Sequence, residues 1–240
     1  MTRLRSFIKG IVPEHARGFL RRAHRDYVFD RAIKKFLRSP VGLIRPGDAI
    51  IKDLVYGWGN ESWSALDEYL TGCIEHALIS DGPTLECGSG LSTILVGCIA
   101  KARGFQHWAL EHHSAWAAKV QACLDKYDID SVTICTAPLK DYGEFSWYDP
   151  PFGRIPERFS MVICDGPPGT TKGGRYGLGP VMKHSFRPGC VILLDDAGRQ
   201  QEYETARRWE TELNAPIVEV GIEKPYVQMT VMVTQKQRAA

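Results

Sequence analysis

The 240-residue chain reads as an α/β protein. Its mostly parallel, doubly wound, seven-stranded sheet closes on a C-terminal antiparallel hairpin and follows an N-terminal helical extension. Three observations predict this. From Pro83 onward, short apolar runs alternate with segments of helical periodicity, the pattern of parallel strands with helices on both faces. The first run ends in Glu86-Cys87-Gly88-Ser89-Gly90 and opens into a helix carrying Leu91, Ile94, Leu95 and Cys98, so a glycine turn joins strand to helix. The last two runs, 216–221 and 227–234, are separated by a short turn containing Glu223-Lys224-Pro225, which suits an antiparallel pair. A strand, glycine turn and helix at the head of such a sheet make the arrangement Rossmann-like.

Residues 1–47 read as a basic helical extension and 48–240 as the main domain. Residues 1–39 carry eleven Lys or Arg against three acids, Glu14, Asp26 and Asp30, so the remainder is net acidic. Phe19, Ala23, Tyr27, Ala32 and Phe36 recur at roughly helical spacing after Pro13. The expectation is a solvated arm that packs its aromatics on the domain. Contact with nucleic acid, an anionic membrane surface or a second subunit of a homo-oligomer is the alternative. Ser39-Pro40 and Arg45-Pro46-Gly47-Asp48 mark turns.

Residues 48–80 are mostly helical, with Asn60 or Ser62 as a cap and Leu66, Leu70, Ile74 and Leu78 on one face. Trp58, between two glycines, reads as a loop aromatic beside a cleft or as surface packing. Strands follow at 84–87, 106–111, 131–136, 159–165 and 190–195. Helices fall at 91–102, 114–126, 177–186 and 200–213, and 137–158 reads as irregular.

Composition places few limits. Apolar content of 44% and charge of 24% are those of an ordinary globular protein. No run reaches the roughly 18 apolar residues of a spanning helix, and the basic N-terminus lacks the apolar core of a signal peptide. The seven cysteines are scattered without a Cys-x-x-Cys pair. This reads as a reducing, cytoplasmic setting with neither disulfides nor a zinc site.

In such sheets the ligand sits at the carboxyl ends of the strands. These ends offer Glu86, Gly88 and Gly90; then Glu111-His112-His113; then Asp165; then Asp195-Asp196. An acid after a strand often merely caps the next helix. That accounts for one of these residues but not for every central strand ending in acid. Glu111 suits a bidentate contact to ribose hydroxyls. The third glycine of a dinucleotide turn is replaced by Thr93, which counts against a nicotinamide oxidoreductase. Glu86 beside the glycines would repel phosphates and suits a ligand bearing an amino group or a sulfonium.

In these residues the chain resembles the class I S-adenosylmethionine-dependent methyltransferases over about residues 55–234. Glu86-x-Gly88-x-Gly90 looks like their first motif, with Ser92 beside it at the helix start, and Glu111 like their ribose-binding acid. His112 lies next to the cofactor in that reading, and Ala137-Pro138-Leu139 looks like the segment flanking the adenine. Trp147-Tyr148-Asp149, Cys164-Asp165-Gly166-Pro167-Pro168-Gly169, Gly174-Arg175-Tyr176-Gly177 and Leu194-Asp195-Asp196-Ala197-x-Arg199 narrow the resemblance. They look like a small-molecule O-methyltransferase group similar in layout to the catechol-type enzymes. The resemblance implies methyl transfer to a hydroxyl of a small molecule such as a sugar or a phenol. It makes Asp165, Asp195 and Asp196 candidate ligands for Mg2+.

Two departures stand out: Asp196 replaces the Asn of the catechol pattern, and no Lys follows Asp165 by three residues to act as base. Without a metal, Asp165, Asp196 or His184 is the candidate general base. An ordinary surface histidine is the plainer reading of His184. Lys172, Arg175 and Tyr176 are expected to border the acceptor pocket. Asp149-Pro150-Pro151-Phe152 matches a tetrapeptide of adenine-N6 methyltransferases. Here it does not end an apolar strand, so methylation of nucleic acid is the lesser alternative. A binding module that holds the cofactor without catalysis is another.

Overall fold

The computed structural model describes residues 14–40, 42, 44–59 and 67–232. Pro13, Asn60, Ser62, Leu66 and residues 233–234, which enter the expectations above, lie outside them. Three helices come first: α1 (Glu14–Arg38), α2 (Ala49–Trp58) and α3 (Asp67–Ile79). Then follow β1 (Thr84–Cys87), α4 (Leu91–Arg103), β2 (His107–Glu111), α5 (Ser114–Lys126) and β3 (Val132–Thr136). The next elements are β4 (Leu139–Asp141), β5 (Ser146–Tyr148), β6 (Phe159–Cys164), α6 (Leu178–Met182) and a 3-10 turn at Lys183–Ser185. The chain continues with β7 (Phe186–Leu194), α7 (Gln200–Glu212), β8 (Ile217–Val220) and β9 (Tyr226–Thr230).

The main sheet runs β3-β2-β1-β6-β7-β9-β8. Pairs β1–β2, β2–β3, β1–β6 and β6–β7 are parallel, whereas β9 runs antiparallel to both β7 and β8. Strand order reverses at β1, whose neighbours are β2 and β6, and a crevice opens at that switch point.

Alternation along the buried strands divides the core in two. Met161, Ile163 and Leu193 face Leu70, Ile74, Leu95, Ile99, Val120 and Leu124 of the helices on one side. Val162, Cys164, Ile192 and Leu194 face Trp147, Leu178, Met182 and Trp209 on the other.

The structure departs from the sequence reading in three places. Helix α1 packs only along its second half: Ala32 and Phe36 of the expected face join the core together with Phe29 and Ile33, while Phe19 and Tyr27 stay exposed at 69% and 64%. Its second half is therefore part of the core rather than a solvated arm. The stretch 137–158 contains the hairpin β4–β5, which buries Trp147 and Tyr148. Strand β7 starts at Phe186, so the helix expected to reach 186 stops at Met182.

Candidate active site

The glycine turn is held from inside. Glu86 is 1% exposed, and both its oxygens accept bonds from the protein. The Ser92 hydroxyl donates to Oε1 at 2.5 Å and the Thr93 hydroxyl to Oε2 at 2.8 Å, while His107 Nε2 pairs with Oε2 at 3.0 Å. Thr93 Oγ1 in turn accepts the Gly90 N–H at 2.8 Å. Glu86 thus ties strand, turn and helix start together at the wall of the crevice. No local pattern announces this, because His107 arrives from β2, where it pairs in register with Thr84. Gly88 adopts φ +98°, a conformation that favours glycine. Gly90 is extended at φ 176°, and a Cβ there would meet nothing within 4 Å.

At the end of β2, Glu111 is 4% exposed. Its Oε2 accepts the Ser89 hydroxyl at 2.9 Å and its Oε1 the His113 N–H at 2.8 Å. His113 caps α5 by accepting the Trp116 N–H, and His112 faces the Tyr148 ring at 5.9 Å. The Tyr148 hydroxyl is buried without a hydrogen-bond partner and lies opposite Gly88, and burial pushes its pKa well above the usual phenol value.

The ends of β6 and β7 bring three carboxylates together: Asp165, Asp195 and Asp196 place oxygens within 4.8 Å of one another. Basic side chains meet them there. Arg175, 3% exposed, donates to the Asp195 carbonyl at 2.6 Å, to Asp165 Oδ1 at 3.0 Å and to Asp196 Oδ2 at 2.8 Å. Lys224, from the β8–β9 turn, lies 3.0 Å from Asp195 Oδ2 and 3.0 Å from Asp196 Oδ1. Arg199 adds a contact to Asp196 Oδ2 at 2.8 Å. Asp196 holds φ +61°, a left-handed conformation that Asp tolerates better than most residues.

Local fields differ among these groups. Burial pushes the Asp165 carboxyl up to about 7 against the pull of Arg175, although 29% of its side chain stays exposed on the cavity side. Burial also opposes charge on Asp196, but Arg175, Lys224 and Arg199 prevail and hold it below the usual range. Burial likewise opposes charge on Lys224, and Asp195 and Asp196 raise its pKa nonetheless. Burial raises Glu202, whose Oε1 has no partner; Asp195 Oδ1 has none either.

These groups line one cavity of about 870 Å³, with Glu86, Gly88, Glu111, His112, Asp165 and Arg175 among its walls. Other expected residues lie elsewhere. His184 is exposed in the 3-10 turn at the opposite end of β7. Lys172 is exposed and pairs with Asp141 at 3.4 Å. Tyr176 donates to Glu212 at 3.0 Å beneath Arg208, away from the cavity. Pro138 and Leu139 are exposed outside it, because the β4–β5 hairpin presents Tyr148 there instead. Trp58 sits one layer back, edge-on to Trp116 at 6.1 Å, and Ser92 points at Glu86. Lys224, Arg199, Glu202, Tyr148 and Trp116 line the cavity without having been expected there. Of these, Tyr148 and Arg199 lay in stretches that carry the family resemblance, and Glu202 had a local signal, an acid in the first turn of the helix after Asp195-Asp196.

No family model matches the chain, and no curated protein does. Solved structures with a similar fold are methyltransferases of several kinds. The precorrin-6y C5,15-methyltransferase of Geobacter metallireducens superposes with a TM-score of 0.54 at 11% identity, over 72% of this chain and 92% of that one. A 16S rRNA N2 methyltransferase of T. thermophilus, solved with AdoMet and guanosine, gives 0.52 at 15% identity, over 72% of this chain and 45% of that one. A methyltransferase homolog from Pyrococcus horikoshii gives 0.50 at 7% identity, over 70% and 67%. At these identities the likeness is one of fold, and the chain carries the Rossmann-like fold of class I methyltransferases.

Proposed function

We propose that this protein is an S-adenosylmethionine-dependent methyltransferase acting on a hydroxyl group of a small molecule. The observation that carries the reading is Asp165. It stands at the switch point beside the glycine turn, its carboxyl is pushed up to about 7, and Arg175 binds only Oδ1. A group that gains and loses a proton near neutrality suits general base catalysis.

The residues present fit the cofactor. Glu111 on the cavity wall offers carboxylate oxygens that suit ribose hydroxyls, Gly88 allows close backbone approach, and the buried Tyr148 hydroxyl lacks a partner. Thr93, buried and bonded to Glu86, fills the place of the third glycine that a dinucleotide needs. When bound, S-adenosylmethionine supplies an electrophilic methyl carbon on a sulfonium. Asp165, held by Arg175 at Oδ1, would take the acceptor's hydroxyl proton on Oδ2 as that oxygen bonded to the methyl carbon and sulfur kept the electrons of the bond that breaks. Holding the reactants in line contributes most of the acceleration. The unpartnered Asp195 Oδ1 and Glu202 Oε1 are hydrogen-bond acceptors for further hydroxyls, which favours a polyhydroxylated acceptor.

Calorimetry tests the cofactor: S-adenosylmethionine and S-adenosylhomocysteine are expected to bind while NAD stays silent, and the reverse pattern would overturn the reading. A panel of sugars and phenols assayed for released S-adenosylhomocysteine then tests the acceptor class.

A further inference from the structure

We infer that Arg175 and Lys224 occupy, as fixed cations, the place a divalent metal ion would take among Asp165, Asp195 and Asp196, so that this site works without one. Three converging carboxylates at adjacent strand ends are the donor set a hard cation prefers. Such an ion needs the carboxylate lone pairs to face a common point. Here four of their six oxygens face basic N–H groups instead.

Asp196 spends Oδ1 on Lys224 and Oδ2 on Arg175 and Arg199. Asp195 spends Oδ2 on Lys224, and Asp165 spends Oδ1 on Arg175. Three carboxylates meet three basic side chains, so the group is formally neutral, and a divalent ion would add two uncompensated charges beside a guanidinium and an ammonium. Arg175 is also locked in place. It is 3% exposed, and its bond to the Asp195 carbonyl does not depend on the carboxylates. A metal could enter only by displacing Lys224 or Arg175 from the oxygens they hold.

Lys224 is the cation that can be removed with least harm, being 27% exposed at the tip of a turn. The expected result is that chelator-stripped wild-type protein leaves the electron paramagnetic signal of millimolar Mn2+ undiminished. The Lys224→Ala variant, which frees Asp195 Oδ2 and Asp196 Oδ1, is expected to take up one equivalent. Uptake of one Mn2+ by the wild type, displaced by Mg2+ and lost in Asp195→Asn, would overturn the inference. A folded Lys224→Ala protein that takes up none would overturn the assignment of Lys224 to the metal's place. The measurement reads metal uptake alone, so its outcome is separable from that of the cofactor titration.

Discussion

His107 Nε2 lies 3.0 Å from Glu86 Oε2, and the two side chains are 0% and 1% exposed. His107 also pairs with Thr84 Oγ1 at 2.8 Å, so one imidazole satisfies two buried groups. Removing it strands the Thr84 hydroxyl and takes one of the two partners from Glu86 Oε2. His107→Ala is expected to cost about 3 kcal/mol, the scale of a buried polar pair broken from one side. For a chain of this length that lowers the melting temperature by about 6–12 °C. Thermal denaturation of the ligand-free protein reads the change, and a loss of only a degree or two would show the pair to be dispensable.

The two glycines of the turn are expected to separate stability from binding. Gly88→Ala forces a Cβ onto φ +98° and should destabilise by about 1–2 kcal/mol. Gly90→Ala meets neither strain nor a neighbour, so stability should be unchanged. Any loss of S-adenosylmethionine affinity at Gly90 then reports a ligand passing over that position. Equal destabilisation of both variants would contradict the conformational difference between them.

Glu111→Ala should weaken S-adenosylmethionine by about ten- to a hundred-fold, the worth of one or two hydrogen bonds to a charged acceptor. Glu111→Gln keeps one acceptor oxygen and should fall between. Unchanged affinity in a folded Glu111→Ala protein would remove the ribose assignment.

The pH dependence of stability carries the sign of Asp165. Its folded pKa of about 7 exceeds the ordinary 3.8, so between these values the folded state holds more protons than the unfolded one. Stability from this group therefore falls as pH rises through that window. Asp165→Asn mimics the protonated form. It should nearly match the wild type near about pH 3.5 and exceed it by about 4 kcal/mol near about pH 8. Urea denaturation at the two pH values gives the comparison, and a variant that is no more stable at the higher pH would refute the raised pKa. Methyl transfer should rise toward a plateau above about pH 7 as the base ionises, and should be lost in the variant.

His184→Ala and Lys172→Ala should leave cofactor affinity and turnover unchanged, because both side chains lie outside the cavity. A ten-fold effect of either on turnover would mean that the cavity is not the reaction site.

The sheet was legible in sequence because its strands are buried on both faces and carry continuous apolar runs, as in Phe159–Cys164. The acids at the strand ends were legible for the same reason, since each closes such a run. The β4–β5 hairpin was not, because three-residue strands as polar as Leu139–Asp141 offer no period to read. The start of β7 was masked by Arg187-Pro188-Gly189, which reads as a loop although it lies in a strand. Lys224 was out of reach for another reason. It lies 28 residues beyond Asp196 in sequence, and only the antiparallel return of β9 against β7 brings the two together. Tyr176 was misplaced because its position after the Gly-Pro loop says nothing about direction, and its hydroxyl turned to Glu212.

Delivery of Lys224 by the β8–β9 turn also sets an order of assembly. A chain growing from its N-terminus holds Asp165, Arg175, Asp195, Asp196 and Arg199 before it holds the ammonium that balances them. Until β9 zips against β7, the acids outnumber their partners and repel one another across the top of the sheet. Electrical completion of the pocket thus coincides with closure of the sheet. A protein whose final hairpin has not docked holds an unbalanced cluster of negative charge where the folded one holds a balanced one.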